Sequence, residues 1–347
     1  MSVAEQIRFL PFGDRQVAYA QSGHGPPLVV AAWWVSHLEQ AWQDETVRRF
    51  WEATAEGYTL VRYDRLGVGM SDRDGLDAHP TLDGEVALLG RVLDELELER
   101  AVLVGGSSGG CTAIAFAARF PERVERLLLY GTYADGAAIG SPEVREAIVA
   151  TVRSHWGLGS RLLADIFLGN ADRAEQARFA RYQRAAASAE TAARLLELIY
   201  RTDVRAELPL VQAPTLVVHR RGDRAIPYAL GRELATAIPR AALIPLTGRA
   251  HFPWAGDTHS VVRAFRSALQ PERPPAGVPG ELPAVTLSAR EQEVLALVAQ
   301  GLNDREIAAQ LVVSPHTVHR HVANIRNKLG RGSRTAAVAE AVRLGLL

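Results

Sequence analysis

Between Pro271 and Pro283 the chain reads PERPPAGVPGELP, five prolines and two glycines in thirteen residues. Proline lacks a backbone N–H and fixes its φ, so such a run neither continues a helix nor enters the middle of a sheet. It acts as an extended spacer, reaching at most about 3 Å per residue. The 347-residue chain is therefore expected to fold as two units, residues 1–270 and 286–347, joined by a Pro-rich linker at 271–285. The longer unit has the length for a large core of its own.

Through residues 1–270, short apolar runs rich in β-branched residues alternate with helical patterns. Strands are predicted at 7–12, 16–20, 28–32, 59–63, 101–104, 126–130, 215–219 and 242–245, the first two forming a hairpin at Gly13-Asp14. Helices are predicted at 45–56, 82–97, 109–119, 228–238 and 258–269. This alternation is the pattern of an α/β fold, a mostly parallel sheet with helices on both faces. Residues 141–207 break it. They are rich in Ala, Arg and Leu, read as helix throughout, and are expected to form an inserted helical cap.

The net charge is zero, with 39 Lys+Arg against 39 Asp+Glu, but the balance is uneven. Residues 313–343 carry Arg320, Arg326, Lys328, Arg331, Arg334 and Arg343 against a single acid, Glu340, a distribution suited to phosphates or to a solvated helix face. Cys111 is the only cysteine, which excludes an intrachain disulfide and a thiolate metal cluster. The opening MSVAEQIRFL lacks a signal-peptide layout and no apolar run is long enough to span a bilayer, so no membrane association and a soluble, cytoplasmic protein are expected. No metal-ligand spacing, phosphate loop or dinucleotide fingerprint is present, and no cofactor or metal is expected.

The stretch VGGSSGG at 104–110 contains G-x-S-x-G in two registers, one centred on Ser107 and one on Ser108. A nucleophile elbow needs a strand, a turn that strains the nucleophile's backbone, a helix directly after it, and small residues on either side. Glycines flank both serines, so local sterics do not choose between them. The wider context does. Leu103 to Gly110 followed by Phe120 to Val124 resembles the α/β-hydrolase family, with its strand-to-elbow pattern L-V-G-x-S-x-G-G and its later F-P-E-R-V. That register implies Ser107 as nucleophile, with the Ser108 backbone N–H facing an oxyanion hole.

The same resemblance extends to three further loops. Arg220 to Pro227 resembles the family's acid loop G-x-x-D-x-x-x-P, with Asp223 at the carboxylate and Arg220 where the first glycine belongs. Gly248 to Pro253 resembles the G-x-x-H loop, with His251 as the base that takes the Ser107 proton while Asp223 fixes its tautomer. Asp64 to Ser71 is close to D-x-R-G-x-G-x-S, its arginine one place early. The loop after the third strand departs from the family. Where the family has His-Gly, the chain reads Ala32-Trp33-Trp34, so Trp34 is left to donate the second oxyanion N–H from a loop without glycine freedom. Trp33 and Trp34 either pack in the core or line an apolar ligand pocket beneath the cap. Cys111, on the elbow helix, reads as a small core residue.

Residues 286–347 read as four short helices from their capping signals alone. Ser288-Ala289-Arg290-Glu291 and Asn303-Asp304-Arg305-Glu306 are capping boxes. Ser314-Pro315 opens a third helix running to about Leu329, and Ser333 caps a fourth reaching Leu344. Helix, tight turn at Val312-Val313 and longer polar-faced helix form a helix-turn-helix layout. The wording LSAREQEVLALVAQGLNDREIAAQLVVSPHTVHRHVANIRNKLG resembles the LuxR-type (GerE) DNA-binding domain. That resemblance implies double-stranded DNA as partner, with the third helix in the major groove. His319, Arg320 and Ala323 are the base-edge candidates, Arg320 being suited to guanine. Ser314, Thr317 and Lys328 are the phosphate candidates, and His321 and Asn324 match the family motif with either a structural or a DNA role. The fourth helix, with Ala336, Ala337, Val338, Ala341 and Val342, resembles the family's dimerisation helix and implies a homodimer.

Three functions fit these readings. One is a transcriptional regulator whose hydrolase-like domain senses, and slowly hydrolyses, a small apolar ester- or lactone-like ligand. A second is an active serine esterase or lactonase with a regulatory DNA-binding tail. The third, a regulator whose large domain is only an oligomerisation scaffold, is the weakest, because the serine, acid and histidine loops are all intact.

Overall fold

The computed structural model describes residues 5–73, 80–169, 171–269 and 287–328, and then 333, 334, 337, 338 and 341. It divides into two compact units, Met1–Pro271 and Glu272–Leu347. The Pro-rich run and most of the expected fourth helix lie outside the described residues.

The first unit is built on one eight-stranded sheet. Its strands are β1 (Ile7–Phe12), β2 (Arg15–Gly23), β3 (Pro27–Ala31), β4 (Thr59–Tyr63), β5 (Ala101–Gly106), β6 (Val124–Tyr130), β7 (Thr215–Arg220) and β8 (Ala241–Leu246). They lie in the order β1-β2-β4-β3-β5-β6-β7-β8. β1 and β2 form an antiparallel hairpin turning at Gly13, whose φ of +66° suits glycine, and β2 meets β4 antiparallel. Every later pairing is parallel.

Helices cover both faces: α1 (Leu38–Gln43), α2 (Glu45–Thr54), α3 (Leu82–Glu95) and α4 (Ser108–Arg119), then, after the cap, α9 (Tyr228–Ala237) and α10 (Thr258–Leu269). The six-residue α1 is absent from the sequence reading, being too short for a period to register. Side chains alternate along the central strands, so the sheet feeds two cores. Val29, Leu103, Leu127 and Val217 pack with α3, α4 and α9, whereas Leu28, Val102, Leu128 and Leu216 pack with α2 and α10.

Where the sequence reads helix without interruption, four helices stand: α5 (Pro142–Ser154), α6 (Trp156–Leu168), α7 (Arg173–Ala186) and α8 (Ala189–Arg201). Ser141, Asp172 and Ser188 cap α5, α7 and α8, their side chains accepting from Val144, Glu175 and Thr191 backbone N–H groups at 3.4, 2.8 and 3.1 Å. This helical layer is tied to the sheet unit through backbone acceptors. Gly69 N–H donates to Ala186 O at 2.8 Å, and His251 N–H donates to Phe167 O at 2.6 Å.

The second unit contains α11 (Ala289–Ala299), α12 (Asp304–Leu311) and α13 (Pro315–Lys328). Both capping boxes form, Ser288 with Glu291 and Asn303 with Glu306. Val294, Leu295, Ile307, Val318 and Ile325 fill its core, and Ala337 and Ala341 are buried in the same cluster. The three described residues of the expected dimerisation stripe, Ala337, Val338 and Ala341, thus pack against their own domain. Between α12 and α13 the chain turns at Val312, which is left-handed (φ 53°, ψ 49°) and 90% exposed. A β-branched residue is strained in that conformation.

Candidate active site and DNA-reading face

β5 runs straight into α4, and the residue at the junction is Ser107, held at φ 50° and ψ −129°. Ser107 is one of three non-glycine residues with positive φ among those described, and Ser108 is already the first residue of α4. The two registers of G-x-S-x-G are thereby separated: the strained elbow position is Ser107. Each of the four glycines around it has its own steric reason. A Cβ at Gly105 would lie 2.7 Å from Gly110 Cα, and one at Gly109 2.5 Å from Ala31 O. One at Gly106 would fall 2.0 Å from the Trp33 ring, and one at Gly110 2.2 Å from the Thr132 hydroxyl. The second register of glycines serves packing.

Asp223 lies just beyond β7 and His251 in the loop after β8; both side chains are 1% exposed. His251 Nδ1 is 2.8 Å from Asp223 Oδ2, while Asp223 Oδ1 accepts from the Ala225 and Ile226 N–H groups at 2.9 and 3.1 Å. One carboxylate oxygen is thus occupied by the loop and the other by the imidazole. With Nδ1 carrying the proton toward Asp223, Nε2 is the basic lone pair, and it is buried with no hydrogen-bond partner among the described residues. The stretch after β6 draws the three groups together. Ser107 N–H donates to Tyr130 O at 3.1 Å and the Thr132 hydroxyl donates to Ser107 O at 2.6 Å. Between them Gly131, at φ +50°, leaves room for Asp223 Oδ2 and the His251 ring at 3.2–3.4 Å from where its Cβ would stand. Gly131 and Thr132 are site residues the sequence reading missed; only their place at the end of a strand signalled them.

Two departures from the family pattern acquire structural roles. Arg220, standing where the acid loop has glycine, is 1% exposed and reaches across to the base loop. Its Nη1 donates to Ala250 O at 2.8 Å and Phe252 O at 2.9 Å, the carbonyls on either side of His251, and its Nη2 to Asp257 O at 3.2 Å. Arg65, the arginine one place early, is equally buried; Nη2 donates to Ala32 O at 2.5 Å and Nη1 lies 3.6 Å from Glu85. A second histidine, His219, flanks the acid, with Nε2 3.0 Å from Ile226 O and 3.7 Å from Asp223 Oδ2. Burial lowers its pKa from the ordinary 6.5, which keeps it neutral and donating to that carbonyl. Burial likewise pushes the Cys111 thiol up to about 12, and it donates to Tyr133 O at 3.3 Å, so this cysteine is an inert core group.

The oxyanion loop differs from its expected form. Positive φ is absent from Trp33 and its neighbours, so the backbone here makes no demand for glycine. The two indoles also part company, because the strand's alternation continues through them. Trp33 packs with α2 and α10, stacked on Phe252 and Trp254 at 5.8 and 5.1 Å, while Trp34 packs edge-on to Trp156 and Phe167 of the cap at 6.2 and 5.7 Å. Trp34 Nε1 donates to Ala192 O at 3.3 Å. Phe167 in turn lies 5.6 Å from the His251 ring, which gives the base an aromatic roof. A cavity of about 670 Å³ beside the site has Trp33 in its wall, but not Trp34, Ser107 or His251. The Trp34 backbone N–H has no acceptor among the described residues, and the Ser108 backbone N–H belongs to the first turn of α4, where a helix supplies none.

In the second unit, α13 presents His319, Arg320, Asn324 and Lys328 as exposed residues, with Thr317, His321 and Ala323 half-buried. Ser314 precedes the helix; its hydroxyl accepts from Thr317 N–H at 3.1 Å and lies 2.8 Å from the Thr317 hydroxyl. Arg320 has no ion-pair partner among the described residues. His319 Nδ1 is 3.5 Å from Asp304, and Lys328 Nζ is 2.6 Å from Glu291, the carboxylate that closes the first capping box. Lys328 therefore couples the end of α13 to the start of α11, a partner the sequence reading did not anticipate. No three or more His, Cys, Asp or Glu side chains are grouped to hold a metal among the described residues, and no helix among them is long and apolar enough to cross a membrane.

Comparison with known proteins agrees with this geometry. The family model described as "alpha/beta hydrolase fold" matches residues 24–253, and that of "Bacterial regulatory proteins, luxR family" matches residues 285–341. The 2-hydroxymuconate semialdehyde hydrolase of Pseudomonas sp. (strain CF600) is 35% identical over 207 residues, 54% of this chain and 68% of that protein. The 2-hydroxy-6-oxononadienedioate/2-hydroxy-6-oxononatrienedioate hydrolase of Cupriavidus pinatubonensis is 32% identical over 199 residues, again 54% and 68%. Among solved structures, the enol-lactonase from Burkholderia xenovorans LB400 aligns with a TM-score of 0.63 and 26% identity, covering 76% of this chain and 99% of that one. The chain belongs to the α/β-hydrolase fold family, and its C-terminal segment is a DNA-binding domain of the bacterial LuxR regulatory type.

Proposed function

We propose that the protein is a transcriptional regulator whose hydrolase-fold domain senses, and slowly hydrolyses, a small apolar ester- or lactone-like ligand. The observation that carries this reading is the 2.8 Å His251–Asp223 pair beside a strained Ser107, in the same chain as a LuxR-type DNA-binding domain. In the chemistry, His251 Nε2 takes the Ser107 proton as Oγ attacks the ligand carbonyl. The Ser108 and Trp34 N–H groups receive the oxyanion. The proton then passes from His251 to the leaving oxygen, and water releases the acyl group by the same path in reverse. Relatives that act on an enol-lactone and on unsaturated oxo acids favour a carbonyl substrate of this kind.

Slow turnover suits a sensor, since a signal hydrolysed at about 10 per second would vanish as it arrived. The cap is bonded to the base loop through Phe167 O, which ties the helical layer to the segment that carries His251. DNA is read by α13, with Arg320 at a base edge and Ser314 and Thr317 at phosphates. Binding as a homodimer rests on the domain family alone.

Incubating the full chain with a fluorophosphonate is expected to give one adduct, on Ser107, by mass spectrometry. Absence of that adduct removes the catalytic half of the reading. The second reading, a working esterase or lactonase with a regulatory tail, is favoured by the completeness of the triad. A thermal-shift ligand screen separates the two: a ligand that stabilises only Ser107→Ala is being turned over, whereas one that stabilises both proteins is held and sensed.

A further inference from the structure

The cavity of about 670 Å³ is within the range of small-molecule sites, yet neither Ser107 nor His251 lines it. Its walls come from the 33–47 segment and β4 on the sheet side and from α7 on the cap side. Three of its rings form one slab: Trp33 lies on Phe252 and on Trp254, and Phe252 lies on Trp254, all within 24° of parallel and 5.8 Å of each other. Two of its rings, Trp33 and Phe252, come from the oxyanion and base loops themselves, although neither Ser107 nor His251 lines the cavity. Trp33 touches Gly106, the residue before the nucleophile, and Phe252 follows His251. Rings stacked in this way offer an extended apolar face to a flat ligand.

The charged residues of the lining are three arginines, Arg62, Arg178 and Arg181, and three acids, Asp44, Asp64 and Glu175, and they differ in how far they are already engaged. Arg178 and Arg181, three apart on α7, share one face of that helix. Arg181 is exposed and has no ion-pair partner among the described residues, while Arg178 is 3.8 Å from Asp44 with its side chain 60% exposed. The facing acids are already engaged, and the buried Asp64 accepts from the Leu38 and Met70 N–H groups at 3.1 and 2.9 Å. Asp44 is the N-cap of α2 and accepts from the Thr46 and Val47 N–H groups at 2.9 and 3.4 Å, and Glu175 sits in the first turn of α7. Helix N-termini offset such charges, whereas mid-helix arginines have no such compensation. Arg62 also lines the cavity, paired with Glu5. The indole N–H of Trp33 is a further donor, buried without an acceptor among the described residues.

We infer that this cavity is an effector site, separate from the triad, for a planar aromatic carboxylic acid whose ring lies on the Trp33–Phe252–Trp254 slab and whose carboxylate meets Arg178 and Arg181. It rests on the reading of this domain as a sensor and gives that sensor a site where binding does not consume the ligand. Trp33 and Phe252 belong both to its wall and to the segments that hold the oxyanion loop and the base, so occupancy and the catalytic site share two side chains.

The test uses the full-length protein, 2-naphthoate as probe, and titration by calorimetry with intrinsic tryptophan fluorescence, since three tryptophans that line the cavity report on it. Saturable binding is expected for wild type and equally for Ser107→Ala and for fluorophosphonate-labelled protein. The double variant Arg178→Ala/Arg181→Ala is expected to bind at least tenfold more weakly, and neutral 2-naphthalenemethanol to bind wild type as weakly as the double variant binds naphthoate. The inference is overturned by no saturable binding to wild type, by equal binding of the neutral analogue, or by binding that survives in the arginine variant and disappears on labelling Ser107. Affinity for a duplex selected by the protein from a random pool is measured with and without naphthoate. Unchanged DNA affinity with naphthoate bound sustains the site and removes the sensor reading.

Discussion

The two units place their chemistry at opposite extremes of burial. In the hydrolase unit Asp223 and His251 are 1% exposed and bonded to one another, and the arginines that support the site, Arg65 and Arg220, are equally hidden. In the DNA-binding unit His319, Arg320 and Asn324 stand in solvent on one helix. Acyl transfer needs a base held in one orientation at low dielectric, so His251 Nδ1 is fixed by Asp223 while Nε2 is left without a partner among the described residues. Groove recognition needs donors that stay unspent until a base edge supplies the acceptor. Lys328 marks the boundary between the two strategies: it has the composition of a phosphate contact and the geometry of an internal strut on Glu291.

The largest effect expected from this contrast is on the buried side. Asp223→Asn removes the charge that sets the His251 tautomer and should slow ester hydrolysis about 10⁴-fold, with DNA affinity unchanged; a loss of both would mean the units are not independent in function. Next comes packing. Gly106→Ala drives a methyl into the Trp33 ring and should destabilise the hydrolase unit by about 1–3 kcal/mol, read as a fall in its melting transition, whereas Gly13→Ala meets no atom within 4 Å and carries only the cost of its backbone angle. On the exposed side Arg320→Ala should weaken specific DNA binding by about 1–3 kcal/mol and relax sequence preference at one position, with stability and hydrolysis unaltered. The smallest effect is a gain. Val312→Asn relieves the left-handed strain at the helix turn and should stabilise the DNA-binding unit by about 1 kcal/mol; no gain in its unfolding transition would mean that the turn's strain is offset elsewhere in the fold.

Much of the architecture was legible because local rules suffice for it. Every predicted strand has its counterpart within a few residues, since apolar β-branched runs bounded by glycine and proline have few alternatives. Both capping boxes formed, because a capping box is decided within four residues. The order of serine, acid and histidine loops was legible for the same reason, each being a short motif after a strand. What local rules do not reach is direction. Trp33 and Trp34 look alike in sequence and point into different cores, and the arginines that depart from the family pattern look like losses until their carbonyl partners, 30 or more residues away, are in view.

The chain's own letters determined that there are two units, that one is an α/β sheet with a serine elbow, and that the other presents a cationic helix after a tight turn. Those properties follow from periodicity, proline and glycine placement, and capping, all of which act over a few residues. The tertiary structure alone decided that Arg220 and Arg65 brace the base and oxyanion loops, that Lys328 is tied to Glu291, and that an aromatic cavity lies beside the triad and not over it. Each depends on groups distant in sequence meeting at hydrogen-bond or stacking distance, and such meetings are fixed only when the sheet, cap and loops have closed on one another.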